Sequence, residues 1–272
     1  MAKRFFFSTR FRLFVLVFLT ILPVTALLCH NALEQRRQAA ADMENHAWQL
    51  ARLIALRQQQ ELSTERELLT NITRSPEMRS PDTDFCSGFF SQVLVYSSRY
   101  LNFALVNPRG DVICSAHPMF ENVNLADRSW FRRPMEQHGF SMSGFTIGRI
   151  TGVPTLILAH PVMDINREII SVATFSMNLS SFLAFPGQEN LPAGSEVAVL
   201  DRQGTVLAHS PDFNRWAGKK ANEFPIADTV LARKEGIAWL DGADGVQRLY
   251  AFVPIMVEPG DVPDAYVAVG LP

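Results

Sequence analysis

The chain has 272 residues, 47% of them hydrophobic, and a formal net charge of −2 at pH 7. This length and apolar fraction suffice for a membrane anchor and two small packed cores. The near-neutral charge excludes a protein that binds nucleic acid through a broad basic surface.

The N-terminal segment predicts a membrane anchor. Four basic residues lie within residues 1–12, and an apolar run extends from Leu13 to Cys29. A run of this length can span a bilayer as a helix, although a cleaved signal peptide is the alternative. We favour an uncleaved anchor, because His30 stands where a signal peptidase requires a small residue. The basic flank then predicts a cytoplasmic tail at 1–12, an anchor at 13–32 and the remaining chain across the membrane.

Residues 33–80 predict one long helix. The stretch from Ala39 to Thr73 contains no proline or glycine and is rich in residues that favour helix. Its apolar residues recur at heptad-like spacing at Met43, Ala47, Leu50 and Ile54. Such a stripe can pair with the same helix of a second copy, which would give a homodimer, or can pack on a sheet of its own chain. The sequence leaves both interpretations open.

The second half of the chain is built twice. The stretch Phe103–Ala116 aligns without a gap with Val197–Ser210, at an offset of 94 residues. A second stretch, Gly152–Val162, aligns with Gly245–Ile255 at an offset of 93 residues. Two matches at nearly one spacing indicate two tandem domains of similar fold.

Each repeat shows the same order of predicted elements, namely a hairpin, a helical excursion and three further strands. In the first repeat, a helix over Phe85–Arg99 precedes the strands Phe103–Val106 and Val112–Ser115, the helix Asp127–Gln137, and the strands Met142–Ile150, Leu156–Pro161 and Ile169–Ser176. In the second repeat, the strands are Val197–Leu200, Thr205–His209, Gly236–Leu240, Arg248–Val253 and Ala265–Gly270, with a helix over Asn222–Ala232. Each repeat therefore predicts an antiparallel sheet with its helices on one side, an α+β fold.

A motif in the first repeat resembles a known family. Arg128, Trp130 and Phe131 precede one strand that begins near Gly152 and ends at Pro161. This Arg-x-Trp-aromatic pattern, after an anchor and a long helix, resembles the double-Cache family, the PAS-like extracytoplasmic sensor regions of bacterial diguanylate cyclases, histidine kinases and chemoreceptors. The resemblance extends from about Ala39 to Pro272, and the hairpin sequence is most similar to versions found on diguanylate cyclases.

The resemblance implies the ligand-sensing input module of a transmembrane receptor in the bacterial inner membrane, with residues after about 32 in the periplasm. It implies a membrane-distal domain at 81–185 and a membrane-proximal domain at 190–272, forming a homodimer. No cofactor, metal or covalent chemistry is expected, and the output, a diguanylate cyclase first, would lie outside this chain. The alternatives are the sensor of a histidine kinase or chemoreceptor, and a ligand-independent dimerisation or protein-interaction ectodomain.

The resemblance also implies a binding site in the distal domain. In relatives that bind amino acids, the Arg and Trp of the motif hold the ligand carboxylate, and a Tyr and an Asp complete the pocket. Here those last two positions are Val123 and Ser176, so the side that would hold an amino group is absent. The expected ligand is a carboxylate or another small anion. Its expected contacts are Arg128, Trp130, Phe131, Phe145, His160 and Ser176.

The alternative for this motif is a surface pair of Asp127 with Arg128 and a Trp130 that only packs in the core. Two of the three cysteines, Cys86 and Cys114, would lie in the oxidising compartment and predict a disulfide, with two separate buried thiols as the alternative.

Enzyme signatures are weak. Gly139–Ser143 has a serine where the nucleophile elbow requires its second glycine, and Ala217–Lys220 lacks the rest of a phosphate loop. The six histidines show no metal-ligand spacing. We therefore expect a chain that is not an enzyme.

Overall fold

The computed structural model describes residues 9–79, 82–95, 98–119, 121–183, 191–257 and 262–272. Most of the predicted cytoplasmic tail, residues 1–8, lies outside the described residues. The chain divides into two units, residues 1–46 and residues 47–272.

Helix α1 spans Thr9–Arg74, so the predicted anchor and the predicted long helix form one helix. It ends before residue 80 because Pro76 lacks a backbone donor and disfavours helical geometry at the residue before it. A short 3₁₀ turn, Pro76–Met78, follows. Among the described residues, none of the helices contains a stretch long and apolar enough to cross a membrane.

Within residues 47–272, one face of α1 is buried by the chain itself. The buried apolar residues of this face recur at helical spacings of three, four or seven positions, apart from one adjacent pair, and are Ala47, Ala51, Ile54, Ala55, Leu62 and Leu69. Of the two interpretations of the apolar stripe, packing within the chain is therefore the one observed for these residues.

The first sheet with its helices is here called the N-terminal module. Its elements are α2 Thr83–Val95, β1 Tyr100–Val106, β2 Val112–Ser115, α3 Ser129–Gln137, β3 Ser141–Met142, β4 Thr146–Ile147, β5 Pro154–Met163, β6 Ile169–Asn178 and a 3₁₀ turn Leu179–Leu183. The strand order is β2-β1-β6-β5-β3, and β4 also pairs with β5.

The second sheet with its helices is called the C-terminal module. Its elements are β7 Glu196–Asp201, β8 Val206–Ser210, α4 Phe213–Trp216, a 3₁₀ turn Ala221–Glu223, α5 Ala227–Arg233, β9 Gly236–Asp241, β10 Gln247–Ile255 and β11 Ala265–Leu271. Its strand order, β8-β7-β11-β10-β9, repeats that of the first sheet. The predicted α+β fold with two antiparallel sheets is confirmed.

Two predicted elements differ in the structure, and one observed helix was not predicted. The strand predicted over Met142–Ile150 is split into β3 and β4, because the residues between them leave the sheet. The helix predicted over Asn222–Ala232 is a 3₁₀ turn followed by α5, because Pro225 interrupts it. The short helix α4 had no prediction.

Helices cover both faces of the N-terminal sheet, so the prediction of one covered side is wrong for this module. On one face the rings of Phe103 and Phe175 pack edge to face with their centroids 4.6 Å apart, and the ring centroid of Phe90 of α2 lies 5.9 Å from that of Phe103. On the other face Trp130 of α3 packs in a core with Ile157. The run Phe103–Val106 is apolar at every position, which is typical of a strand buried on both faces.

Candidate functional site

Strand register places a row of side chains across the middle of the N-terminal sheet. Asn102 of β1 pairs with Ser176 of β6, and Ser176 pairs with Ile157 of β5. Thr174 lies two residues before Ser176 on the same face, because side chains alternate along a strand. These residues form the floor of a small cavity.

The beginning of α3 forms one wall of this cavity. Arg128 immediately precedes the helix, and Trp130 lies in its first turn. Trp130 is 4% exposed and packs against Ile157 and Leu125. Its Nε1–H has no hydrogen-bond partner among the described residues. A buried donor without an acceptor is costly, so this N–H is available to a bound molecule.

Arg128 directs its guanidinium toward the other wall. Its Nη1 donates to Thr146 Oγ1 at 3.2 Å, and its Nε lies 3.9 Å from Asp127 Oδ2. Asp127 is held mainly by Arg149, whose two terminal nitrogens each donate to a carboxylate oxygen at 2.9 Å. These hydrogen bonds hold the pKa of Asp127 below its ordinary value. Both features of the alternative are present, since Arg128 pairs with Asp127 at 3.9 Å and Trp130 is buried in a core. Asp127 is nevertheless held chiefly by Arg149, and Nη1 of Arg128 is directed to Thr146 and not to a carboxylate.

The segment Thr146–Thr151, here called the rim, lines another side of the cavity. Gly148 is buried, and a Cβ at this position would overlap Thr151 Oγ1. That hydroxyl is buried and has no partner among the described residues. The cavity is partly open to solvent, and its volume is about 20 Å³, little more than one water molecule needs.

The structure brings three of the six predicted contacts together. Arg128, Trp130 and Ser176 line the cavity, and Ser176 is 8% exposed. Phe131 does not line it, because its ring lies in the core 6.5 Å from that of Trp130.

Phe145 and His160 point elsewhere. The tip of the Phe145 ring abuts Gly218 of the C-terminal module. His160 pairs with Ala173, and its Nδ1 lies 3.0 Å from Thr73 Oγ1 of α1, on the opposite face of the sheet. Burial lowers the pKa of this imidazole. Ile157 and His160 are three positions apart, which in a strand places them on opposite faces.

Five polar residues of the cavity had no prediction. They are Asn102, Thr174, Thr146, Thr151 and Arg149. The first two could have been predicted from strand geometry. Asn102 is the strand partner of Ser176, and Thr174 lies two residues before Ser176 on the same face. The two rim threonines depend on how a loop folds back, for which the sequence carries no comparable signal.

The C-terminal module has an equivalent row of positions, but the space above it is filled by a side chain. Glu196, Gly270 and Tyr250 pair across β7, β11 and β10, at offsets of 93 or 94 from Asn102, Ser176 and Ile157. The Tyr250 ring lies over Gly270, where a Cβ would be 2.6 Å from Tyr250 Cε1. Its hydroxyl donates to Glu196 Oε2. A tyrosine side chain thus occupies the space that is hollow in the N-terminal module.

A charged network surrounds Tyr250. Arg248 donates to both oxygens of Asp244, at 2.6 and 2.7 Å, and to the carbonyl of Gly194 at 2.6 Å, and lies 3.1 Å from Glu196 Oε1. Burial raises the pKa of Glu196, but His209 at 3.8 Å, the hydrogen bond from Tyr250 and the charge of Arg248 together lower it by more, so the net shift is downward. Burial and the neighbouring carboxylate raise the pKa of Tyr250.

A second cavity of about 360 Å³ adjoins this network. It is lined by Asp212, Arg215, Glu196, Asp244 and Arg248, and by His209, which is 1% exposed and has no hydrogen-bond partner among the described residues. Three carboxylates and two arginines, Arg215 and Arg248, line this space, so its negative charges outnumber the positive ones and an anion is disfavoured there. No group of three His, Cys, Asp or Glu residues in the described part of the chain could hold a metal ion.

Cys86 and Cys114 are joined by a disulfide, with Cα atoms 6.1 Å apart. The bond links α2 to β2 at the edge of the N-terminal sheet. Both residues are buried.

A family model for the Cache domain, dCache_1, matches residues 31–272. A curated relative, sporulation kinase D of Bacillus subtilis, is 35% identical over 71 residues, which are 26% of this chain and 14% of the kinase. The chain therefore spans a small part of that relative's length.

Solved structures share the fold. The extracellular domain of rpHK1S-Z16, a proposed histidine kinase, aligns with a TM-score of 0.72 and 16% identity over 86% of this chain and 95% of that one. The ligand-binding domain of the Pseudomonas fluorescens chemoreceptor CtaA, in complex with L-isoleucine, aligns with a TM-score of 0.65 and 16% identity over 87% and 95%. The corresponding domain of Pseudomonas aeruginosa PctB, in complex with L-Arg, gives 0.64 and 17% over 85% and 95%.

Proposed function

Because the chain belongs to the Cache domain family, we propose that it is the ligand-sensing region of a bacterial signalling receptor and that its N-terminal module binds a small carboxylate. The solved structures of this fold named above are extracellular or ligand-binding domains of signalling proteins. The site is the cavity between Arg128, Trp130 and the rim.

The charge of the cavity supports an anion. Arg128 and Arg149 line it, and none of the described lining residues is an aspartate or glutamate. Arg149 is engaged by Asp127, whereas Arg128 has only a hydroxyl and a distant carboxylate as partners. The planar guanidinium suits a carboxylate, and the unpartnered Trp130 Nε1–H lies in the same wall. This Arg128–Trp130 pair is the observation on which the proposal mainly rests.

The absence of an acidic lining residue argues against an α-amino acid as the ligand. CtaA and PctB are recorded with L-isoleucine and L-Arg. In this chain the position that the family resemblance assigns to an aspartate is Ser176, and an ammonium group there would meet a hydroxyl in place of a counter-ion. A carboxylate without an amine satisfies Arg128 and Trp130 and leaves no buried ammonium.

A bound acid would displace the rim. The cavity is partly open to solvent, and its volume of about 20 Å³ is smaller than any organic acid. Thr146–Thr151 lines one side of it, and Ile147 within this segment is 46% exposed. Opening of the rim on binding is therefore the conformational change that would carry a signal.

The receptor setting is part of the proposal. Residues after about 32 would lie in the periplasm, with residues 13–32 as the anchor, the chain as a homodimer and the output domain outside this chain. The sequence around Val106–Ser115 favours a diguanylate cyclase output, whereas the relatives named above are kinases and chemoreceptors.

A second candidate is a ligand-independent interaction or dimerisation ectodomain. The small volume of the cavity favours it. Matched ligand pairs distinguish the two functions. Propionate and L-alanine differ by one ammonium group, as do acetate and glycine. We expect one or both acids to raise the melting temperature with the logarithm of their concentration, and neither amino acid to do so. Equal or larger shifts with the amino acids would contradict the ligand class, and no shift with any of the four would favour the interaction domain.

A further inference from the structure

Asp201 at the end of β7 folds a hairpin turn with one carboxylate oxygen. Its Oδ1 accepts from the backbone N–H groups of Gln203 and Thr205 at 2.9 and 2.8 Å. Asn107, the counterpart of Asp201 at the offset of 94, makes the same turn in the N-terminal module. Its Oδ1 accepts from Arg109 and Asp111 at 2.9 and 3.0 Å. A single side-chain oxygen is therefore sufficient for this turn, and an amide supplies it as well as a carboxylate.

The second oxygen of Asp201 crosses to the other module. Asp201 Oδ2 accepts from the backbone N–H of Phe145 at 3.0 Å, and Asp201 is only 3% exposed. The approach requires a glycine next to Phe145, since a Cβ on Gly144 would overlap this oxygen. The carboxylate of Asp201 thus accepts hydrogen bonds on both of its oxygens. Asn107 cannot do this at the equivalent position, because an amide has one acceptor oxygen and one donor nitrogen.

The residues that Asp201 holds lead directly to the candidate site. Ser143 is fixed to Ile157 of the cavity floor, donating its N–H to the Ile157 carbonyl and accepting from the Ile157 N–H, both at 2.8 Å. Phe145 follows, with its ring tip against Gly218. Thr146, the first residue of the rim, then accepts from Arg128. One short segment therefore connects the C-terminal module to the guanidinium at the cavity.

We propose that Asp201 is a positioning residue for the site of the N-terminal module, holding Gly144–Phe145 so that Thr146 orients Arg128 and the rim stays closed. The ligand part of this statement rests on the proposed function. The same contact explains why the predicted strand over 142–150 is broken, since Gly144 and Phe145 leave the sheet to reach Asp201. Movement of the rim on binding would then pull on the β7–β8 turn.

The test is Asp201→Asn, with Asp164→Asn as the matched control. An asparagine keeps one oxygen for the turn, as Asn107 does, and turns an N–H donor toward the N–H of Phe145. Asp164 makes the same turn between β5 and β6, accepting from Asn166 and Glu168 at 2.8 Å each. Amide hydrogen exchange is measured on the whole chain without ligand, followed by titration with propionate.

In Asp201→Asn, exchange at Phe145 and across the rim should be faster by about tenfold, while the turn amides of Gln203 and Thr205 stay protected as in the wild type. Propionate should bind about fivefold more weakly or worse. Asp164→Asn should change neither measurement.

Unchanged exchange at Phe145 would overturn the proposal, as would a rim that stays protected when Phe145 does not. Faster exchange together with unchanged propionate affinity would overturn the positioning role and leave the proposed function intact. If the wild type binds no propionate, the proposed ligand class is wrong. The rate of amide exchange in the rim of Asp201→Asn then decides, without a ligand, whether Asp201 holds this segment.

Discussion

Ser176 and Gly270 occupy the same place in the two sheets of the chain, 94 residues apart. Ser176 pairs with Asn102 and Ile157, and Gly270 pairs with Glu196 and Tyr250. The serine faces a hollow, whereas the glycine makes room for the ring of Tyr250. The duplicated domain has therefore kept its fold in both copies, and only the N-terminal copy leaves this position open to a ligand.

Gly270→Ala should destabilise the chain, because the added Cβ would lie 2.6 Å from Tyr250 Cε1. Overpacking of this kind costs about 1–3 kcal/mol. Gly88→Ala is the control, since no atom lies within 4 Å of a Cβ there and the residue is inside α2. That change should stabilise by about 0.5–1 kcal/mol. Urea denaturation measures both, and a Gly270→Ala chain as stable as the wild type would show that Tyr250 does not fill this space.

Glu196→Gln should cost stability at neutral pH and less in acid. The folded pKa of Glu196 lies below its ordinary value of 4.5, so the carboxylate stabilises the fold fully above that pH. The contribution is lost as the pH falls through the folded pKa. The difference in unfolding free energy between wild type and Glu196→Gln, roughly 1.5–3 kcal/mol at pH 7, should therefore shrink toward pH 3. Glu168→Gln, at an exposed site, should differ little from the wild type at any pH. A Glu196→Gln difference that does not change with pH would mean that Glu196 and Arg248 do not act as an ion pair.

The disulfide should be present in the isolated chain. Before reduction one thiol, that of Cys29, should titrate in denaturant, and after reduction all three cysteines should titrate. Replacing Cys86 and Cys114 together by alanine should lower stability by about 3–4 kcal/mol, since the bond closes a loop with a sequence separation of 28. Three thiols before reduction would contradict the bond.

The two sheets could be predicted from the sequence because short-range patterns of apolar residues indicate their strands. Alternating and continuous apolar runs mark the strands, and the repeat at offsets of 93 and 94 assigns the same order to both modules. The hairpin turns at Asn107 and Asp201 are set by residues only two and four positions away. Arg128 and Trp130 were found because they lie within one short motif.

The remainder of the site depends on contacts between distant residues. Phe145 was expected at the ligand, but Gly218 and Asp201 draw it away. His160 was expected there too. Side chains alternate along a strand, so the three-residue step from Ile157 would have placed His160 on the opposite face of the sheet, which packs against α1. That Tyr250 fills the C-terminal site follows from its pairing with Gly270, which no local pattern indicates.

The Arg128→Ala variant tests the central claim most directly. Its thermal unfolding is measured at rising concentrations of propionate, with the wild type and Arg132→Ala as controls. Arg132 is an exposed arginine of α3, the helix that Arg128 immediately precedes. We predict that the melting temperatures of the wild type and of Arg132→Ala rise with the logarithm of the propionate concentration and that Arg128→Ala shows no shift. Without propionate, the stability of Arg128→Ala should stay within about 1 kcal/mol of the wild type. An Arg128→Ala chain that responds to propionate like the wild type, or that unfolds in its absence, would contradict the binding role of Arg128.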